Sequence, residues 1–264
     1  MNLPARVTIE FTNRCNRNCT SCPRRKMTYP QGFMTQELFT KIIEQLPNET
    51  VIVPFFRGES LIHPNFTSFM KDLSRFKQVQ LASNGDKLSE ANEAAILSAC
   101  TFFSLSLHEY MMPWKFKNNK FLTILTRKGI DTQVSILDKL VPSRWKNRFI
   151  RSWMRHVGRV RFYQEHSIRG FGDMENEAKP TEPCEKPFSE LVVYWDGKVG
   201  LCNHDWDNKT FLGDLNLQTV EQVWRNYNYQ RVREAHKSSN RCKVPSCVDC
   251  CFGNKVYGEL HEKA

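Results

Sequence analysis

Apolar positions along the chain switch between two periods. Short β-branched runs alternate with stretches in which apolar residues recur every third or fourth position. The first pattern marks strands and the second marks helices. Residues 5–11 read as a strand. Leu38, Phe39, Ile42, Ile43 and Leu46 form the stripe of a helix over 36–46, with Thr35 as its N-cap. A buried strand is predicted over 50–56. A helix over 65–76 turns Phe66, Phe69, Met70, Leu73 and Phe76 inward. Strand 78–82 ends in the turn Ser83-Asn84-Gly85, and an Ala-rich helix covers 90–100. Then come strand 101–107, a helix over 121–128 closed by Gly129, strand 132–137, a basic helix over 144–156 and a sixth strand from 160.

Six alternations of strand and helix with short connections predict a parallel sheet with right-handed crossovers. Six are too few for a closed eight-fold barrel, so the expected fold is α/β, an open partial (β/α)6 TIM barrel. Ligand sites of such sheets lie at the carboxyl ends of the strands. The first domain is placed at 1–170. A polar linker follows at 171–183, in a stretch carrying Gly170, Gly172, Pro180 and Pro183. A second unit is placed at 184–264. It opens with a β-hairpin, Leu191 to Trp195 and Lys198 to Cys202 around the favoured turn Asp196-Gly197. Val220, Val223, Trp224 and Tyr227 then mark a helix starting near Thr219. There is no internal repeat and no low-complexity tract.

Composition narrows the class. The 264 residues are 40% hydrophobic and 25% charged, values of a globular protein with a sizeable core. No apolar run approaches the ~20 residues that span a bilayer. Residues 1–6 show no signal-peptide core, so the expected compartment is the reducing cytoplasm. Ten cysteines there argue for metal and against disulfides. Three lie at 15–22 and six between 184 and 251, which suggests two metal sites. The tenth, Cys100, ends an apolar helix face and reads as a small core residue. The formal charge of +10 fits either solvated Lys and Arg faces or attraction to a polyanionic or phosphorylated partner. No recognisable nucleic-acid motif is present, so a nucleic-acid partner is not expected.

The chemistry centres on Cys15-Asn16-Arg17-Asn18-Cys19-Thr20-Ser21-Cys22, directly after the first strand. A structural zinc site wants four ligands and usually pairs two Cys-x-x-Cys units. Here the local set stops at Cys15, Cys19 and Cys22. Three thiolates on a four-iron cluster leave one iron open, which suits a cluster that does chemistry.

The spacing resembles that of the radical S-adenosylmethionine (radical SAM) family. The resemblance implies that a [4Fe–4S] cluster chelates S-adenosyl-L-methionine and yields a 5′-deoxyadenosyl radical, with an external one-electron reductant such as flavodoxin or ferredoxin. Phe56-Arg57-Gly58-Glu59-Ser60 looks like the family's Gly-Gly-Glu segment, with Arg57 where the first Gly is usual. Gly58 and Glu59 would hold the methionine amino group. Ser83 and Asn84 resemble the turn that bonds the ribose or carboxylate of the cofactor. Ser21 stands where many members have an adenine-contacting aromatic.

In the second half, Cys184, Cys202, Cys247 and Cys250 come from three segments and can close a second cluster fully. Their pattern resembles the SPASM/twitch type of auxiliary domain, in its shorter form with one auxiliary [4Fe–4S] cluster. Zinc is the alternative for the same four thiols. Cys242 and Cys251 are spare, and either can exchange with a chosen ligand. Relatives that oxidise an alcohol or thiol place a base just after the second of these cysteines. Asn203 cannot act as one, which leaves His204 and Asp205. Strand-end candidates for substrate contact are His108, Asp138, Glu165 and His166.

The expected function is hydrogen abstraction from a substrate C–H bond, followed by oxidation or epimerisation. The substrate expected is a small polyol, sugar or aminocyclitol. Two rivals are maturation of a ribosomally made peptide by crosslinking or epimerisation, and a zinc-stabilised nucleic-acid-binding protein.

Overall fold

A computed structural model of the chain describes residues 3–163, 183–248, 250 and 259–262. The elements follow the predicted alternation. They run β1 (Arg6–Ile9), α1 (Gln36–Ile43), β2 (Val51–Val53), α2 (Phe66–Leu73), β3 (Gln78–Ser83), α3 (Glu90–Ala99) and β4 (Phe102–Leu107). Next are α4 (Asn119–Arg127), β5 (Asp131–Leu137), α5 (Lys146–Trp153) and β6 (Arg159–Tyr163). The second half holds α6 (Lys186–Ser189), β7 (Glu190–Val193), β8 (Lys198–Gly200), β9 (Gly213–Asp214), α7 (Val220–Arg225), α8 (Tyr227–Lys237) and β10 (Glu259–Glu262). Residues 171–182 of the expected linker, and Glu165, His166 and Cys251, lie outside the described residues.

The strands form one sheet in the order β10-β6-β5-β4-β3-β2-β1-β7-β8-β9. From β1 to β6 every neighbour is parallel. The hairpin of the second half does not stand apart. Its strand β7 lies parallel to β1, register Val7 to Leu191 and Ile9 to Val193. All of Leu191, Val192 and Val193 are buried, as a strand covered on both faces requires. At the other edge β10 pairs antiparallel with β6.

Local chemistry sets the ends of elements. Thr35 accepts from the Leu38 N–H, and Thr219 forms a capping box with Gln222. Each such cap stabilises its helix by about 1 kcal/mol. Strand β2 stops before Pro54, which has no N–H for a ladder. The helix predicted from Thr219 breaks at Asn226, whose side chain accepts from Tyr229 N–H and starts α8. The core between β1 and helices α1 and α2 is aromatic. Phe39 stacks on Phe69 at 4.0 Å, and Phe11 meets Phe69 edge-on at 4.9 Å.

Strands β4 to β6 largely alternate between apolar and polar residues, and this shapes the site. Phe103, Leu105, Val134, Ile136, Val160 and Phe162 are buried under the helices. Their neighbours face the hollow of the curved sheet in cross-strand rows. Ser104 pairs with Gln133 and Gln133 with Arg159; one step up, Ser106 pairs with Ser135 and Ser135 with Arg161.

Candidate functional site

The hollow is a cavity of about 870 Å³ that runs along the parallel strands, from Gln78, Phe102 and Asp131 at their amino ends to Ser83, Leu107 and Leu137 at their carboxyl ends. Cys15, Cys19 and Cys22 line it, together with Gly58, Glu59, Ser83, Asn84 and His108. The cysteine loop is fixed at its base. Thr12 Oγ1 donates to Gly32 O at 2.6 Å, and buried Asn13 bonds Pro30 O and Gly32 N at 2.7 and 3.0 Å. The three thiols are part-exposed, and burial pushes each above its ordinary pKa. A bound metal centre reverses that sign and deprotonates a coordinating thiol.

Glu59 is the knot of the expected cofactor-binding set. It is 3% exposed. One carboxylate oxygen accepts from Leu61 N–H (3.1 Å) and Ser83 O–H (2.9 Å); the other accepts from Asn84 N–H at 2.8 Å. Roughly four lone-pair positions minus these three bonds leave one acceptor site. Burial raises the pKa of Glu59 against these bonds, so the ionised form gains from a cation. Gly58 permits the close approach. A Cβ there would sit 2.3 Å from Thr12 O and 2.4 Å from Arg14 O, and Glu59 N–H bonds Arg14 O at 2.8 Å.

Sequence reasoning missed three partners of this knot. Asn84 donates to Asn16 Oδ1 at 3.0 Å, and Asn16 donates to Asp86 at 2.9 Å. Asp86 takes a two-pronged bond from Arg17, which holds its carboxyl below the usual range. The cysteine loop is thus strapped to the turn after β3. Asp86 carried no sequence signal beyond following the Asn-Gly turn.

Arg57, which departs from the usual Gly, is 3% exposed and bonded to Glu10 at 2.7 and 2.5 Å. Its guanidinium lies 4.2 Å from the Tyr194 ring centre and 4.5 Å from that of Tyr29. The remaining nitrogen donates to Trp206 O at 2.6 Å. Glu10 also accepts from Trp195 N–H at 3.3 Å. One ion pair therefore ties the Glu59 loop to both ends of the 194–206 segment.

In the second half Cys202 is buried and Cys184, Cys247 and Cys250 are part-exposed. The charge of Cys250 acts on Cys184 and Cys247, and that of Cys247 on Cys202, so the four share one neighbourhood. Cys242 is exposed. Among the described residues no three Cys, His, Asp or Glu are grouped tightly enough for a single metal ion.

The three catalytic candidates are not brought together. Asp205 is 2% exposed and turned to its own loop, accepting from Lys209 N–H at 2.8 Å and Thr210 N–H at 3.2 Å. Neither it nor His204 lines the cavity. The bonds of Asp205 staple the loop that carries Cys202. His108 lines the cavity rim just beyond β4. Partial desolvation and the charge of Arg17 keep it below the ordinary histidine pKa, with Asp86 opposing. Asp138 sits in an ion pair with Lys146 at 2.8 Å and does not line the cavity, although Leu137 beside it does.

Two family profiles match the chain. The profile described as the radical SAM superfamily matches residues 9–140, half of the chain. A profile described as an iron-sulfur cluster-binding domain, SPASM, matches residues 184–251. The chain is 25% identical to the S-adenosyl-L-methionine-dependent 2-deoxy-scyllo-inosamine dehydrogenase of Niallia circulans, over 92% of this chain and 91% of that protein. The fold is similar to the crystal structure of BtrN in complex with AdoMet and 2-DOIA, with TM-score 0.70 at 21% identity, covering 97% of this chain and 94% of that one. It is also similar to Streptococcus suis SuiB bound to precursor peptide SuiA, with TM-score 0.64 at 10% identity, covering 88% of this chain and 67% of that one.

Proposed function

The chain belongs to the radical SAM superfamily, and from that premise we propose that it oxidises a secondary alcohol of a small polyol, sugar or aminocyclitol to a ketone. Cys15, Cys19 and Cys22 would hold one [4Fe–4S] cluster with S-adenosyl-L-methionine, and Cys184, Cys202, Cys247 and Cys250 one auxiliary [4Fe–4S] cluster. When bound, these groups supply a 5′-deoxyadenosyl radical at the first site and a one-electron sink at the second. The observation that carries the reading is that the three thiols, the Glu59 knot and a polar inner wall line one cavity.

Each residue then has a defined task. The open acceptor position of Glu59 takes the methionine ammonium, which offsets the cost of the buried carboxylate. Ser83 and Asn84 hold Glu59 in place and present the edge of the β3 turn to the nucleoside. Ser104, Ser106, Gln133, Ser135 and Arg161 offer donors and acceptors to substrate hydroxyls. The overall reaction balances: one hydrogen atom leaves the carbinol carbon to form 5′-deoxyadenosine, one electron leaves the substrate, and the hydroxyl proton is released. His108 is neutral at the rim and is assigned as the acceptor of that proton. A +10 chain attracts an acidic one-electron donor such as flavodoxin or ferredoxin.

Maturation of a peptide is the second reading, favoured by the fold shared with SuiB. The zinc-stabilised nucleic-acid-binding reading is separated from both by the iron and sulfide content of the purified protein.

The test is anaerobic reconstitution and reduction, followed by turnover with S-adenosyl-L-methionine and 2-deoxy-scyllo-inosamine or myo-inositol. Release of 5′-deoxyadenosine and a ketone product is expected, with loss of both in Cys19→Ala. Intact protein that loads iron but never releases 5′-deoxyadenosine refutes the proposal. Glu59→Gln should retain iron while binding S-adenosyl-L-methionine at least about tenfold more weakly, about 1.4 kcal/mol, measured by calorimetry.

A further inference from the structure

Helix α8 buries a histidine among the second set of thiols. His236 is 1% exposed. Its Nδ1 accepts the backbone N–H of Cys184 at 3.2 Å. Its Nε2 lies 3.5 Å from Cys247 Sγ. These two contacts assign the tautomer. A neutral imidazole has one donor and one acceptor nitrogen, and Nδ1 is already used as the acceptor. The ring proton is therefore on Nε2 and points at the sulfur.

An N–H aimed at a ligating sulfur has a directional effect. It withdraws electron density from the thiolate and favours whichever redox state carries more negative charge. Hydrogen bonds to the sulfurs are among the factors that set the potentials of iron–sulfur clusters. The other ring nitrogen fixes the backbone of a second ligand, so the ring cannot rotate away without losing two contacts on two segments. The neighbouring Arg241, 4% exposed, donates to Cys250 O at 2.6 Å and holds the third segment.

We propose that His236 is a positioning residue that raises the reduction potential of the cluster on Cys184, Cys202, Cys247 and Cys250 through a hydrogen bond to the Cys247 sulfur. The inference rests on the reading above that these thiols hold a cluster, and it goes beyond that reading by assigning the residue that makes the cluster a better electron acceptor. The step it assists is the transfer of one electron from the substrate radical to this cluster, while the substrate hydroxyl loses its proton. No bond to His236 forms or breaks.

The experiment uses full-length protein carrying Cys15→Ala, Cys19→Ala and Cys22→Ala, so that only the second cluster responds. Its potential is measured by redox titration followed by electron paramagnetic resonance. In His236→Phe, which keeps the ring volume and removes the donor, the potential should fall by about 59 mV or more, about tenfold in the one-electron equilibrium. His236→Gln, whose amide can still donate, should recover part of that fall. Equal shifts in both variants would mean that packing alone matters, and an unchanged potential in His236→Phe would sink the assignment outright.

Should the Phe variant fail to load iron, the parent protein decides. With histidine labelled with ¹⁵N in the ring only, the reduced cluster should show a weak ¹⁵N coupling that vanishes in His236→Gln. Absence of any such coupling in the parent overturns the proposal. Iron counts separate this failure from that of the underlying reading. Wild-type protein that loads about four irons where two clusters require about eight has no second cluster to tune.

Discussion

At the scale of single residues, buried histidines give the clearest forecast. His63 is 4% exposed, accepts the Asn65 N–H on Nδ1 at 3.1 Å and bonds Met34 O through Nε2 at 2.9 Å. Both ring nitrogens are used by the neutral form, and burial lowers the pKa more than the Met34 bond raises it. The folded state therefore binds this proton less readily than the unfolded chain. Its contribution to stability is complete above the ordinary histidine pKa of about 6.5 and is lost as the pH falls below it. Thermal midpoints of the apoprotein measured from pH 7.5 to 5.5 should drop more steeply for wild type than for His63→Gln. Parallel curves would contradict this.

Residue types told part of this story in advance. The cysteines, Glu59 and the Ser83-Asn84 turn announced themselves by spacing and by their place after strands. His63 and His236 did not, because an isolated histidine in a helix or loop carries no spacing signal. Asp205 stood out as a candidate base by its place after Cys202, whereas the three backbone donors that engage it come from residues folded back around it.

At the scale of elements, the Arg57–Glu10 pair joins three of them. Glu10 follows β1, Arg57 follows β2, and Trp206 follows the β7–β8 hairpin. Both charges have side chains with 0% exposure. Removing one partner of such a pair leaves a buried charge and costs about 3–5 kcal/mol. Arg57→Met should lose stability on that scale in urea unfolding. Glu10→Leu combined with Arg57→Met should recover much of it, since a well-packed apolar replacement is tolerated. If the double variant is as unstable as the sum of the singles, the pair is not coupled as drawn. The helices and strands themselves were legible from period and caps, including Thr35, Thr219 and the Asp196-Gly197 turn. The consecutive parallel neighbours β1 to β6 followed from the six-fold alternation, but the partners of β7 and β10 did not. Apolar alternation tells which face is buried and is silent about which distant strand lies beside it. That is why β7 next to β1, and β10 next to β6, emerged only from the structure.

At the scale of the whole molecule, the sheet depends on its second half. Strand β1 is buried on both faces and needs β7 on its free edge. A chain ending at residue 163 would expose that edge and the apolar surface beneath the hairpin. Such a fragment should bind a hydrophobic dye strongly, show weak near-ultraviolet dichroism and aggregate, and the intact chain should do none of these. A soluble, cooperatively folding fragment would argue for two independent units. Among the described residues no helix is long and apolar enough to cross a membrane.

The ladder between β1 and β7 also sets a distance. Cys15 leaves the sheet after one of these strands and Cys202 after the hairpin that begins with the other. Their separation is then a property of hydrogen-bonded register and owes nothing to the length of chain connecting residues 163 and 183. Inserting several glycines and serines in that connection should leave the distance between residues 15 and 202 unchanged, whereas a proline at Val192, which breaks the ladder, should alter it.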